Sequence, residues 1–184
     1  KHMSTEQADA IASLLNEIEC RGVWPIQTMI NIIVLMGKPS GGVRPIALMA
    51  MLYRLWTKVR REEIAAWEAL NHGPWDAAVR GSSALRAAIY GAFFDELNAV
   101  EGAYVTTILW DQEKFYDTIN VCKLIERSVE LQYPVLYTWL GLQMHMAPRL
   151  IKARDAYHFA GLPDNGIIAG CLLYTSPSPR DCLL

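Results

Sequence analysis

The order of apolar patterns along the chain predicts an α/β (α+β) fold: a helix, a β-hairpin, two helices, a strand and two more helices, without internal repeats. Two observations carry that class. Runs rich in β-branched residues at Met29–Met36 and Ala103–Trp110 suit strands, and the stretches between them set Leu, Met and Ala at helical spacing among charged residues. With 184 residues, 52% of them hydrophobic and 20% charged, and with six Trp and eight Tyr, the chain can bury a sizeable core. Disordered and collagen-like classes are excluded by the same composition.

The elements follow in order. Ser4 to Cys20 sets Ala8, Ile11, Leu14, Leu15 and Ile18 at helical spacing behind a Ser4–Thr5 cap. Met29–Met36, the turn Gly-Lys-Pro-Ser-Gly-Gly and Val43–Leu48 read as strand, glycine turn and return strand. Ala50–Leu70 lacks Gly and Pro and is expected as one long helix, with Leu48, Leu52, Leu55 and Val59 on its buried side and Trp56 and Trp67 in the core. Asn71-His-Gly-Pro ends it. Ser82 or Ser83 caps a helix to about Asn98, and Ala103–Trp110 is expected as a central strand ending at Asp111. Thr118 or Asn120 caps a helix to about Leu131. Pro134 opens a buried helix that accommodates Gly141 and carries His145, expected as a hydrogen-bonded, partly buried residue.

Charge and cysteine usage narrow the function classes. Seventeen Lys and Arg against nineteen Asp and Glu give a net charge of −2, so only a local patch could attract nucleic acid. The longest uncharged run, Leu131–Pro148, is interrupted by Gln132, Thr138, Gln143 and His145, which argues against a membrane span. The start, Lys-His-Met-Ser-Thr-Glu-Gln, lacks the basic-then-apolar order of a secretory signal, so an intracellular protein is expected, with nucleus and cytoplasm both open. Cys20, Cys122, Cys171 and Cys182 have neither zinc-site nor disulfide-framework spacing, and His72, His145 and His158 lack metal-ligand spacing.

Local patches do exist. Lys38 and Arg44 flank Pro39-Ser-Gly-Gly42 at a hairpin tip, and two cations there suit a polyphosphate. From Gly37 to Arg61 there are six basic residues and no acidic one, and Arg54, Lys58 and Arg61 fall at i, i+4 and i+7. That stripe reads either as a solvated face with pairing such as Lys58 to Glu62, or as a track for a nucleic-acid backbone. Asp111, at the end of an apolar strand, reads either as a strand terminus or as a hard oxygen ligand for Mg²⁺ beside the carbonyl of Gln112. Spacing leaves both readings open.

Three separated segments together resemble reverse transcriptases of the non-LTR retrotransposon and group II intron kind, over roughly Trp24 to Gly170. Leu35-Met-Gly-Lys-Pro-Ser-Gly-Gly-Val-Arg-Pro-Ile-Ala-Leu48 resembles their fingers hairpin. Arg80-Gly-Ser-Ser83 resembles the short segment before the next helix, and Ile108-Leu-Trp-Asp-Gln-Glu-Lys-Phe-Tyr-Asp-Thr-Ile119 resembles their first catalytic palm motif. The resemblance implies residues 1–99 as fingers and connection and 100–170 as a partial palm. It implies Asp111, assisted by the Gln112 carbonyl, as a ligand of catalytic Mg²⁺, and Tyr116 as the bulky residue that blocks a ribose 2′-hydroxyl; Tyr116 also reads as an ordinary core aromatic. Lys38 and Arg44 would meet the incoming deoxynucleoside triphosphate, and Arg54, Lys58 and Arg61 the backbone of an RNA template or DNA primer. Asp117 is expected to be structural.

The departures set further expectations. Gly161-Leu-Pro-Asp-Asn-Gly166 only loosely resembles the family's Pro-Gln-Gly segment, and no aromatic-X-Asp-Asp motif follows. Cys171-Leu-Leu-Tyr-Thr-Ser-Pro-Ser-Pro-Arg-Asp181 resembles the translation of a sequencing-library adapter, so residues 171–184 are expected to be an artefactual tail replacing a longer natural chain. The chain as written is therefore expected to be an inactive fragment of an RNA-directed DNA polymerase. The alternatives are a non-catalytic nucleic-acid-binding relic and an RNA-copying RNA polymerase, the latter disfavoured by the bulk of Tyr116.

Overall fold

The computed structural model describes residues 3–39, 41–73, 76, 83–106, 108 and 115–168. Within them the chain is α/β (α+β), with six helices and one four-stranded mixed sheet. The described residues fall into two compact units, 3–61 together with 115–168, and 62–108.

Helix α1 (Thr5–Arg21) begins where its cap predicts. The Ser4 hydroxyl accepts from the Gln7 backbone N–H and the Gln7 side chain accepts from the Ser4 N–H, so two otherwise orphaned donors are satisfied. Leu15 and Ile18 enter the core, whereas Leu14 lies at the edge of their stripe and is exposed. Gly22 ends the helix in the left-handed conformation, φ +63°.

Strands β1 (Asn31–Gly37) and β2 (Val43–Leu48) form the expected antiparallel hairpin, in register from Ile32↔Leu48 to Gly37↔Val43. Its turn depends on Gly41 and Gly42, at φ +89° and +83°, which side chains rarely tolerate. The Lys38 N–H donates to Gly42 O and the Gly41 N–H to Lys38 O, both at 3.0 Å.

The expected long helix is two helices, α2 (Met51–Val59) and α3 (Arg61–Asn71). Neither Gly nor Pro marks the break, which follows the β-branched Val59. It falls at Arg60, whose guanidinium reaches across to Glu19 of α1, with Nε 2.7 Å from the carboxylate; Trp56 Nε1 donates to the same carboxylate at 2.6 Å. The buried side of α2 also differs from expectation. Tyr53, Trp56 and Thr57 are buried, while Val59 is exposed and Leu52 and Leu55 are only half-buried; Leu48, expected on the same side, ends β2 and is exposed there. Aromatic packing decides this, because large rings bury more area than Leu or Val. Trp24 meets Tyr53 and Trp56 edge-on at 5.6 and 5.7 Å, and Trp56 meets Tyr137 at 5.5 Å. Trp56 is thus core, and Trp67, on the separate helix α3, is half-buried.

Helix α4 (Ala84–Val100) starts at Ser83, whose hydroxyl accepts from the Arg86 N–H. The strand expected at Ala103–Trp110 is not seen in its described part: residues 103–106 and 108 belong to no strand, and Tyr104 is fully exposed. Residues 107, 109 and 110 lie outside the described residues. β-Propensity describes fit to a pleated surface, and a run without a neighbouring strand has no ladder to join.

A short 3₁₀ turn, Phe115–Thr118, leads to helix α5 (Val121–Glu130), capped by Asn120, whose side chain accepts from the Lys123 N–H at 3.0 Å. Helix α6 (Val135–His145) follows Pro134 and is the buried helix the sequence predicts, with Tyr137, Leu140, Leu142, Met144 and His145 inside. Trp24 Nε1 donates to Leu140 O at 2.9 Å, and Gln143 Nε2 to Gly22 O at 2.7 Å, fastening α6 to the segment after α1.

Two further strands, β3 (Arg149–Ala153) and β4 (Ala156–Gly161), have no counterpart in the sequence reading. β3 lies parallel to β1, from Asn31↔Arg149 to Val34↔Lys152, and β4 pairs antiparallel with β3, giving the order β2-β1-β3-β4. Their two-residue turn is Arg154-Asp155, with Arg154 at φ +55°, and it lacks the Asn-Gly or Asp-Gly signature of such turns. Among the described residues no helix is long and apolar enough to cross a membrane.

Candidate nucleotide and nucleic-acid site

The hairpin brings its two cations to one face. Arg44 stands opposite Met36 and Lys38 opposite Gly42, so Lys38 and Arg44 are diagonal neighbours, about 7–8 Å apart in an ideal ladder. Both are exposed, and neither makes an ion pair among the described residues. Their charge is available to a solution anion.

Arg54 and Lys58 lie on α2, whereas Arg61 is the first residue of α3, so the expected stripe crosses the break at Arg60. All three are exposed, and the local pair Lys58–Glu62 is absent among the described residues. Arg60 is engaged with Glu19 instead. Burial pushes the Glu19 pKa up, but the hydrogen bonds from Arg60 and Trp56 and the charge of Arg60 outweigh it, leaving the carboxyl below its usual value.

Asp111 and Gln112 lie outside the described residues, as do 80–82 of the Arg80–Ser83 segment. Among the described residues no group of three or more His, Cys, Asp or Glu side chains is arranged to hold a metal. The Asp111 carboxylate and Gln112 carbonyl are hard oxygen donors, a chemistry suited to Mg²⁺.

Tyr116 is half-buried on the 3₁₀ turn, its ring edge-on to Phe115 at 5.3 Å, and Asp117 beside it is exposed. Tyr116 is therefore neither a fully buried core aromatic nor a free surface residue. The segment after β4 docks on this turn. Gly166 N–H donates to Ile119 O and Ile167 N–H to Tyr116 O, both at 2.9 Å. Gly166 has φ +81°, and a Cβ there would lie 2.9 Å from Asp117 Cα and O. Only glycine fits that approach. The next residue but one is fixed as well, since the Ile168 N–H donates to His145 Nδ1 at 2.9 Å. That bond puts the proton of the neutral imidazole on Nε2. Burial, aided by the positive charge of Arg149, lowers the His145 pKa to about 4, so the ring is a neutral acceptor near pH 7.

His145 is hydrogen-bonded as the sequence predicts, though buried completely, while the docking of 166–168 was not legible in the sequence beyond the loose resemblance at Gly161–Gly166. The partners are remote in the chain, and no local spacing reports such a contact. Cys20 and Cys122 are exposed free thiols. No protein-family model matches the chain, and no curated protein sequence matches it.

Proposed function

We propose that the chain carries the fingers and part of the palm of an RNA-directed DNA polymerase from a retroelement. What supports this reading most is the contact of Gly166 with the backbone of Tyr116 and Asp117. The two segments that resemble a palm motif and the Pro-Gln-Gly segment, remote in sequence, lie against each other, as a reading in which one nucleotide touches both requires.

In this reading the 3′-hydroxyl of a DNA primer attacks the α-phosphate of a deoxynucleoside triphosphate on an RNA template; the hydroxyl proton is lost and pyrophosphate leaves. Lys38 and Arg44 hold the triphosphate through charge-assisted hydrogen bonds and offset the charge that builds on its oxygens. The ring of Tyr116 occupies the space a 2′-hydroxyl would need. Asp111 and the Gln112 carbonyl would hold Mg²⁺, which when bound would supply electrostatic stabilisation to the oxygens of an in-line displacement. Arg54, Lys58 and Arg61 contact phosphates without reading bases. These substrates place the reaction inside the cell, in nucleus or cytoplasm.

Sequencing the source nucleic acid across the Gly170 codon defines the chain to assay. A frame continuing into an aromatic-X-Asp-Asp strand should yield a protein that extends a DNA primer on RNA, and Asp111→Asn should abolish the extension. Retained synthesis in that variant removes Asp111 from the reaction. A frame that stops after Leu184, with salt-dependent RNA binding and no synthesis, replaces the polymerase with a binding relic.

A further inference from the structure

The β3–β4 hairpin contributes a surface that neither the hairpin cations nor the α2 stripe accounts for. Pairing register places residues on a common sheet face: Val34, Lys152 and Tyr157 form one row, Leu150 and Phe159 the next, and Arg44 stands one row nearer the turns. The side chains agree with the register, since Lys152 Nζ lies 5.7 Å from the centre of the Tyr157 ring. The opposite face closes onto the core at its base, where buried Asn31 donates to Met144 O of α6 at 2.6 Å. The Tyr157 face is left open: Tyr157 is 56% and Phe159 61% exposed.

Two properties of this face select a ligand. The rings of Tyr157 and Phe159 sit two residues apart on one strand, about 7 Å along it, so each can receive its own planar partner. None of the four strands contains a carboxylate, and Arg44 and Lys152 stand on the open face; the turns hold Lys38 and the adjacent opposite charges Arg154 and Asp155. Flat apolar rings flanked by the exposed cations Arg44 and Lys152 complement unpaired bases joined by phosphates, whereas an apolar protein partner has no use for the charges. We propose that this face is a stacking platform for single-stranded RNA, with bases on Tyr157 and Phe159 and a phosphate on Lys152. The proposal shares its ligand class with the polymerase reading and deepens it by placing an unpaired strand on the β4 side of the sheet. Binding there requires neither deoxynucleotides nor Mg²⁺.

The test is fluorescence anisotropy with the full chain and a labelled uridine-rich RNA of about 16 nucleotides, long enough for one single-strand site. Tyr157→Ala and Phe159→Ala should each weaken binding about tenfold. Tyr157→Phe, which keeps the ring, should bind as the parent does, and Lys152→Gln should lower the salt slope by about 0.7. Unchanged melting temperatures show that these exposed substitutions leave the fold intact. Parental affinity in both alanine variants, equal affinity for blunt RNA duplex, or a dimer that Tyr157→Ala dissolves without affecting RNA binding would overturn the proposal. Loss of primer extension in Asp111→Asn bears on the polymerase reading alone, and the platform should still bind RNA in that variant.

Discussion

A Cβ added to Gly166 would lie 2.8 Å from the carbonyl oxygen of Tyr116, closer than real side chains come to backbone. One missing side chain therefore lets the chain after β4 hydrogen-bond to the turn that carries Tyr116. Two segments remote in sequence become one joint, with the Tyr116 ring beside it.

Gly166→Ala should lose about 3 kcal/mol, because overpacking against backbone adds to the strain of a positive φ. Gly161 provides the internal comparison: it has φ +96° but nothing within 4 Å of the position a Cβ would take. Gly161→Ala should cost only about 1 kcal/mol. Urea midpoints at unchanged m-value measure both, and equal losses would show that the close approach to Tyr116 contributes nothing.

His145 makes stability depend on pH. Its folded pKa of about 4 is below its ordinary value of 6.5, so between those values the unfolded chain binds more protons. The stability this provides is complete above pH 6.5 and is lost as pH falls to about 4. The loss should approach about 3 kcal/mol, read from urea unfolding at pH 7 and pH 4. His145→Gln should flatten that part of the profile. Glu19 adds to acid sensitivity only below its ordinary value of 4.5, since its folded pKa is lowered.

Glu19→Ala should cost about 2 kcal/mol, as it leaves Trp56 Nε1 without its acceptor and Arg60 without its carboxylate in a partly buried site. Glu17→Ala on the same helix should change stability by less than about 0.5 kcal/mol, because its pair with Arg21 is exposed. Thermal and urea unfolding separate the two.

Arg44→Ala should weaken deoxynucleoside triphosphate binding about tenfold without moving the melting temperature, since its side chain is exposed. Tyr116→Ala should narrow the preference for deoxynucleotides over ribonucleotides. Competition binding measures both effects. Lost stability with unchanged nucleotide affinity would make Arg44 a structural residue, and an unchanged sugar preference would leave Tyr116 as packing alone.

What the sequence reported well was local. Ser4, Ser83 and Asn120 announce helix starts because a cap satisfies donors only three residues away. The glycine turn at 41–42 announces the first hairpin for a similar reason. The β3–β4 hairpin is not legible locally because Arg154-Asp155 carries no turn signature and its strands are defined by their neighbours β1 and β3. Ala103–Thr106 misled in the opposite sense, with strand propensity but no strand pairing.

By itself, then, the sequence determined the fold class, the caps, the first hairpin with Lys38 and Arg44 at its tip, and the buried helix around His145. Each depends on spacing within a few residues. The tertiary structure alone decided that the long helix divides at Arg60, that Tyr53 and Trp56, and not Val59, fill the buried side of α2, and that Gly166 meets Tyr116. Those outcomes depend on which distant surface offers a carboxylate, an aromatic face or a free carbonyl, and that becomes defined only when the chain has closed on itself.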